Sequence, residues 1–336
     1  MIATLRTTRT RAVSAGLLAA TAALLSACQD NPEPVAPTTD PSASIVAGPG
    51  ILCWPYCTAA FNRVAFVRTL TDGGIQNTEI YSMYADGTGE TRLTYNVESD
   101  GQPVFSPDRS KIAFVSYRTG KSELFVMNAD GSNVKQLTSH AVQVTGPAWS
   151  PDGTRIAFTS SHVTPYGIFV INADGTGEKL LTNNYDNQPS FSPDGTKLVF
   201  VSSRGVTHQQ HVFTMNADGT NQVQITPGYS GWQEMMPHWS PDGQRVVFVW
   251  YSYNDSMIYS MFANGDLNSL KMLVNSPKGD SYPSWSPDGS KIVFTSSRDA
   301  TYPYYRNTIY TANADGSGQT RISPLTSTNS QSFWGR

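Results

Sequence analysis

The sequence carries little net charge of either sign. Its 23 lysines and arginines stand against 26 acidic residues, and charged residues make up only 15% of the 336. A sparse, nearly balanced charge excludes the strongly basic footprint of a nucleic-acid binder. Cysteine is scarce: Cys28, Cys53 and Cys57 are the only three. Cys53 and Cys57 sit in CWPYC, with no two further ligands nearby to complete a metal site. Three residues separate them, whereas a thioredoxin-like redox pair has two. In an oxidising compartment the pair is expected to close a small disulfide loop. The body of the chain lacks any amphipathic helical pattern of useful length. It also lacks a hydrolase nucleophile elbow, since Gly228-Tyr229-Ser230-Gly231 does not have the GxSxG spacing.

The N-terminus has a different character. Arg6, Arg9 and Arg11 precede an apolar run from Ala12 to Leu25, and small residues lead on to Cys28. The run is too short for a convincing transmembrane helix and reads as an export signal over residues 1–27. Leu25-Ser26-Ala27-Cys28 resembles a bacterial lipobox, which implies cleavage before Cys28 and a diacylglyceryl group on its sulfur. Gln29 in place of aspartate after that cysteine favours the outer membrane. Loss of the three leader arginines leaves 20 basic and 26 acidic residues, a weakly acidic mature charge of about −6. Residues 28–50, rich in Pro, Ser, Thr and Ala, cannot bury a core and read as a flexible tether. The folded domain is expected over 51–336.

That domain repeats itself. SPD recurs at Ser106, Ser150, Ser192, Ser240 and Ser286, at intervals of 44, 42, 48 and 46 residues. ADG or a close variant recurs at Asp86, Asp130, Asp174, Asp218, Asn264 and Asp315, at intervals of 44, 44, 44, 46 and 51. The two series interleave into a unit of about 44 residues, the length of a four-stranded propeller blade. Within one unit, Pro103–Ser106, Lys111–Ser116, Glu123–Asn128 and Val134–Thr138 are β-prone and bounded by turn residues. We label such strands A to D. Six ADG-type turns predict six blades, although there are only five SPD turns. The first unit begins at Arg63-Val64-Ala65-Phe66-Val67 without a strand A. Ser332-Phe333-Trp334 has the right spacing to supply it, closing the ring and leaving no open sheet edge.

The motifs PxWSPDG at 147–153, KIVFTSSR at 291–298 and LFVMNADG at 124–131 resemble the PD40 repeats of TolB-like β-propellers. The resemblance covers roughly residues 58–336 and implies an all-β, six-bladed propeller of four-stranded antiparallel blades. Function does not follow from such a fold, because propellers host many activities. The family's namesake is a soluble periplasmic protein with an α/β domain before its propeller. Here only a tether occupies that place, so partners bound through that domain are not implied.

The turns themselves read as structure. Pro presets φ, Asp bonds nearby backbone N–H groups, and Gly permits the left-handed conformation. Arg109 replaces the glycine once and Asn264 replaces the aspartate once, which argues against a shared calcium loop. Phe105, Trp149, Phe191, Trp239 and Trp285 recur in register and are expected in the core between blades.

Alternating strand direction places the A–B and C–D turns on one face, and the B–C loops and D–A crossings on the other. The second face holds the irregular sequence and is where specific binding is expected. Three residues before each strand A proline lies a repeated acidic position: Asp100, Asp186, Glu234 and Asp280, with Val144 and Asn329 in the remaining blades. A ring of carboxylates there would hold a cation at the channel mouth or a cationic peptide, or each would cap its own crossing. The B–C loops add His162 and Tyr166, His208 and His211, Tyr251, Tyr253 and Asp255, then Tyr302, Tyr304, Tyr305 and Arg306. A crossing adds Tyr229 and Trp232. Such residue types suit binding hot spots or stacking on sugars. In oligogalacturonate lyases, which are related propellers, histidines hold a metal. His208 and His211 are weak candidates for the same, with no clear further ligand.

The expectation is a monomeric, lipid-anchored periplasmic propeller without a catalytic constellation or cofactor. It would dock a protein partner, such as an envelope or membrane-protein complex. The alternatives are carbohydrate binding or cleavage, and a structural spacer.

Overall fold

The computed structural model describes residues 62–72, 75–140, 142–204, 209–252, 255–300 and 306–334. They form 24 strands in six four-stranded antiparallel sheets. Blade two comprises β4 (Asp100–Phe105), β5 (Lys111–Ser116), β6 (Glu123–Asn128) and β7 (Lys135–Gln136). Blade three comprises β8 (Val144–Trp149), β9 (Arg155–Ser160), β10 (Gly167–Asn172) and β11 (Lys179–Thr182). Blade four is β12 (Asp186–Phe191), β13 (Lys197–Ser202), β14 (His211–Asn216) and β15 (Val223–Gln224). Blade five is β16 (Gln233–Trp239), β17 (Arg245–Ser252), β18 (Asp255–Phe262) and β19 (Lys271–Val274). Blade six is β20 (Asp280–Trp285), β21 (Lys291–Ser296), β22 (Thr308–Asn313) and β23 (Thr320–Arg321). In blade one, β1 (Arg63–Asp72), β2 (Ile75–Tyr84) and β3 (Thr91–Arg92) follow β24 (Thr328–Trp334), the C-terminal strand, which pairs with β1 from Val64↔Trp334 to Thr69↔Thr328. The expected closure is therefore present. Among the described residues no helix is long and apolar enough to cross a membrane.

The core lies between the blades rather than within any one of them. Leu124 and Val126 of blade two, for example, pack with Trp149, Ile156 and Phe158 of blade three. Each strand B carries a fully buried phenylalanine at its centre, from Phe66 through Phe114, Phe158, Phe200 and Phe248 to Phe294. Each stacks against the strand C ring of its own blade or lies close to it, as Phe158 does with Phe169 at 5.8 Å. The recurring Phe105, Trp149, Phe191, Trp239 and Trp285 are buried as expected. A flat blade cannot bury both faces alone, so every blade depends on its two neighbours.

The repeated turns are closed by their own side chains. Ser150 Oγ donates to Asp152 Oδ1 at 2.5 Å and accepts from Arg155 N at 2.9 Å. Asp152 Oδ1 also accepts from Thr154 N at 3.0 Å. Hydrogen bonds from Ser150 and the Thr154 backbone pull the Asp152 carboxyl down to about 2. Arg109 takes the left-handed conformation of the glycine it replaces, with φ 60°. Asn264 Oδ1 accepts from Asp266 N at 3.0 Å, doing the work of the missing aspartate.

Strand A differs from expectation in one respect. It begins about three residues earlier, so the acidic position opens the strand instead of lying in the crossing. A bulge then follows in each of these strands, as between Gly101 and Val104 and between Asn187 and Ser190.

Candidate functional site

At each bulge one residue turns left-handed: Gln102, Gly146, Gln188, Met236, Tyr282 and Gln331, with φ between 51° and 62°. Four of the five non-glycine members precede a proline, where an extended conformation is the usual preference. The backbone cost is offset by bonds between blades. Gln102 N donates to Gln331 Oε1 at 2.7 Å, and Gly146 N to Gln102 Oε1 at 2.6 Å. Met236 N donates to Gln188 Oε1 at 2.7 Å, and Tyr282 N to Met236 Sδ at 3.4 Å. Gly146 has no side chain to pass on, and Thr159 Oγ1 accepts from Gln188 N in its place. These residues line a central cavity of about 190 Å³, together with Val104, Ala148, His238, Phe333 and the strand A prolines.

The acidic side chains are not presented to that cavity. Asp100, Asp186, Glu234 and Asp280 are all 1% exposed or less, as are Val144 and Asn329. Asp100, Asp186 and Asp280 each meet an arginine of their own blade, and Glu234 of blade five meets His211 of blade four. Arg118 Nη2 lies 3.1 Å from Asp100, Arg204 Nη2 2.8 Å from Asp186, and Arg298 Nη2 3.2 Å from Asp280. His211 Nδ1 lies 2.6 Å from Glu234 Oε2. Burial holds the Glu234 carboxyl above its ordinary range, although His211 and Thr226 oppose the shift. The three arginines share one posture: Nε bonds the serine two residues earlier, and the guanidinium lies over the strand C ring. Arg204 and Arg298 continue outward to Gln222 and Gln319 before strand D. In blade one Arg68 plays this part from a position two residues earlier, bonding Asn329 Oδ1 at 2.9 Å and Glu90. The signal for this clamp was the SxR triplet at 116–118, 202–204 and 296–298, read with the acid 18 residues before each arginine. Sequence reading picked out the acids alone.

Other expected site residues are dispersed. His162 and Tyr166 lie in blade three, where Tyr166 packs edge-on against Tyr185. Tyr251 is exposed at the end of β17, Asp255 opens β18, and Arg306 Nη1 donates to Leu325 O. Tyr229, Trp232 and Trp250 gather with Tyr259 and Met257 around a cleft of about 230 Å³ on blade five. Cys28, Cys53, Cys57, His208, Tyr253, Tyr302, Tyr304 and Tyr305 lie outside the described residues. Sequence reading missed His140 and Glu178, which meet His162.

The two faces differ in composition. Among the described residues the exposed tyrosines are Tyr95, Tyr117, Tyr185, Tyr229 and Tyr251. All five belong to B–C loops, D–A crossings or the strand ends beside them, and none to the SPD or ADG turns.

These features define a closed six-bladed β-propeller with one face of self-satisfied turns and one variable face. The chain belongs to the TolB beta propeller domain (PD40) family, whose model matches residues 39–227 and 227–336. Among solved structures it is similar to TolB from Acinetobacter baumannii, at 19% identity and TM-score 0.71, over 82% of this chain and 67% of that one. A putative TolB from Agrobacterium tumefaciens matches at 22% identity and TM-score 0.55, over 68% and 94% of the two chains. An oligogalacturonate lyase from Vibrio parahaemolyticus matches at 14% identity and TM-score 0.51, over 74% and 71%. At these identities the likenesses establish the fold. No curated protein matches the chain.

Proposed function

We propose that this propeller is a non-enzymatic binding module of the periplasm, held to a membrane through Cys28, that docks a protein partner on its variable face. The observation that carries the reading is the confinement of the exposed tyrosines to that face. Tyrosine supplies large contact area at low conformational cost and is enriched at binding hot spots. The opposite face offers turns whose carboxylates already hold their own serine or threonine and backbone N–H groups. Membership of the TolB propeller family supports a binding role, and the leader and lipobox-like run support the anchored, outer-membrane setting. The partner would be an envelope or membrane-protein complex within reach of the tether.

Affinity purification of the full-length protein from native membranes tests this reading. Wild type should retain a partner that the triple variant Tyr185→Ser/Tyr229→Ser/Tyr251→Ser loses while keeping its thermal midpoint. Equal recovery by both would contradict it.

A second reading rests on the blade-five cleft. Parallel Tyr229 and Trp250 rings with Trp232 edge-on make an apolar recess in which a sugar ring could stack. A glycan array separates the two readings, since glycan binding abolished by Trp232→Ala would favour the second.

A further inference from the structure

Blade three departs from the clamp at two positions. Its inner position is Val144 where blades two, four, five and six carry an acid, and His162 stands where blades two, four and six carry the clamp arginine. His162 lies over Phe169 with centroids 4.3 Å apart, as the arginines lie over their rings. Its Nδ1 is 2.8 Å from Ser160 Oγ, matching the serine contact made by arginine Nε in blades two, four and six. A second histidine, His140, comes from the crossing between β7 and β8 and stacks on His162 at 4.2 Å with the rings 6° apart. Glu178, just before β11, faces both. His140 Nε2 is 2.9 Å from its Oε2, and His162 Nε2 is 3.7 Å from its Oε1. One ligand atom from each of the three residues lies within 4.8 Å of the other two. Buried Glu123 accepts from His140 N at 2.7 Å and adds a second carboxylate beside the pair.

Two imidazoles stacked this closely cannot both carry charge without repulsion. A neutral ring is the form that binds metal. The serine in this position accepts from Arg118, Arg204 and Arg298 in blades two, four and six, and Ser160 Oγ meets His162 Nδ1 at 2.8 Å. The tautomer that donates Nδ1–H to Ser160 has its lone pair on Nε2, facing Glu178, an arrangement in which an outer hydrogen bond orients a metal ligand.

We propose that His140, His162 and Glu178 bind a divalent ion of the zinc class, with a fourth position open to solvent. Bonds of about 2.0–2.1 Å around a tetrahedral ion put ligand atoms about 3.3–3.5 Å apart. The two carboxylate–imidazole distances bracket that value, and rotation of one imidazole closes the remaining gap. Two nitrogens and one carboxylate suit zinc, whereas calcium and magnesium take oxygen ligands. The ion would tie the crossing to the outer strand of blade three, where the aspartate–arginine clamp is missing. Its open position would leave a coordination site for a ligand approaching the variable face.

Titration of metal-free full-length protein with Co²⁺, followed by displacement with Zn²⁺, tests the site. Wild type should take up one saturable equivalent with the visible absorption of four-coordinate cobalt, and Zn²⁺ should raise its thermal midpoint. Glu178→Gln keeps a hydrogen-bond acceptor for His140 and should weaken binding by more than about tenfold. Ser160→Ala should weaken it about 10- to 100-fold, the range for loss of an outer-shell partner. His162→Arg combined with Val144→Asp restores the pair that blades two, four and six use, so the fold should survive while the cobalt spectrum disappears. Absence of saturable binding in wild type overturns the proposal. So does binding unchanged in Val144→Asp/His162→Arg and in Glu178→Gln, which would place the ion elsewhere in the chain.

Discussion

Asp152 illustrates how a reactive-looking motif is spent on structure. Its carboxylate is fully used by Ser150 and Thr154, and the same bonds lower Asp130, Asp174, Asp218 and Asp315 through their own serines or threonines. A carboxyl depressed in the folded state stabilises above its unfolded pKa, and that stability is lost as pH falls through the folded value. The Asp152 turn should therefore weaken between about pH 3.8 and about 2, and the other turns below about pH 3.8, seen as a fall in thermal midpoint on acidification. Glu234 has the opposite sign, since a raised folded pKa removes stability as pH climbs above about 4.5. The buried clamps are more sensitive to substitution. Asp186→Val strands Arg204 over Phe213 and should cost about 3 kcal/mol, at the low end for a broken buried pair because Arg204 keeps some water. Adding Arg204→His reproduces the residue pair that blade three uses naturally, Val144 with His162. It should recover part of the loss in urea unfolding; no recovery would mean the two positions are not coupled.

At the scale of strands and turns, the repeat made most of the architecture legible. SPD and ADG spacing locates every A–B and C–D turn, and the distance from Ile322 to Trp334 locates the closing strand. What escaped was direction. Alternation assigns faces by counting two residues at a time, and the left-handed residue at Gln102, Gln188 or Met236 resets that count inside strand A. The acids consequently point into the blade, although their recurrence was plain. His140 and Glu178 escaped because 38 residues separate them and only the ring brings them together; aligning the repeats places His162 in the arginine column, which is the one signal that was there. Gly167 marks a packing limit of the same kind. A Cβ there would lie 1.8 Å from Thr182 O, so Gly167→Ala must push β10 and β11 apart. We expect a loss of about 3 kcal/mol by denaturant unfolding, the upper part of the overpacking range. The closing strand is a sharper case. Trp334 is 2% exposed and packs with Phe66, Tyr81 and Val293, joining blades one and six. Trp334→Ala should cost about 3–5 kcal/mol, and removal of residues 328–336 should leave β1 as an open edge and drive aggregation on gel filtration.

For the molecule as a whole, the ring divides labour between its faces. One face spends its polar groups on turns that fix the blades. The bulges bind neighbouring blades across the channel, and the acid–cation clamps fasten the inner strands from within. The variable face is left with exposed tyrosines, and blade three carries two histidines and a glutamate. Site-specific photo-crosslinking in living cells tests docking through that face. A photoreactive residue at Tyr185 or Tyr229 on the variable face should give a discrete crosslinked adduct with one envelope protein. The same group at Asp130 or Asp174, in the regular turns, should give none. Adducts from the turn positions with none from the tyrosine positions would contradict the account.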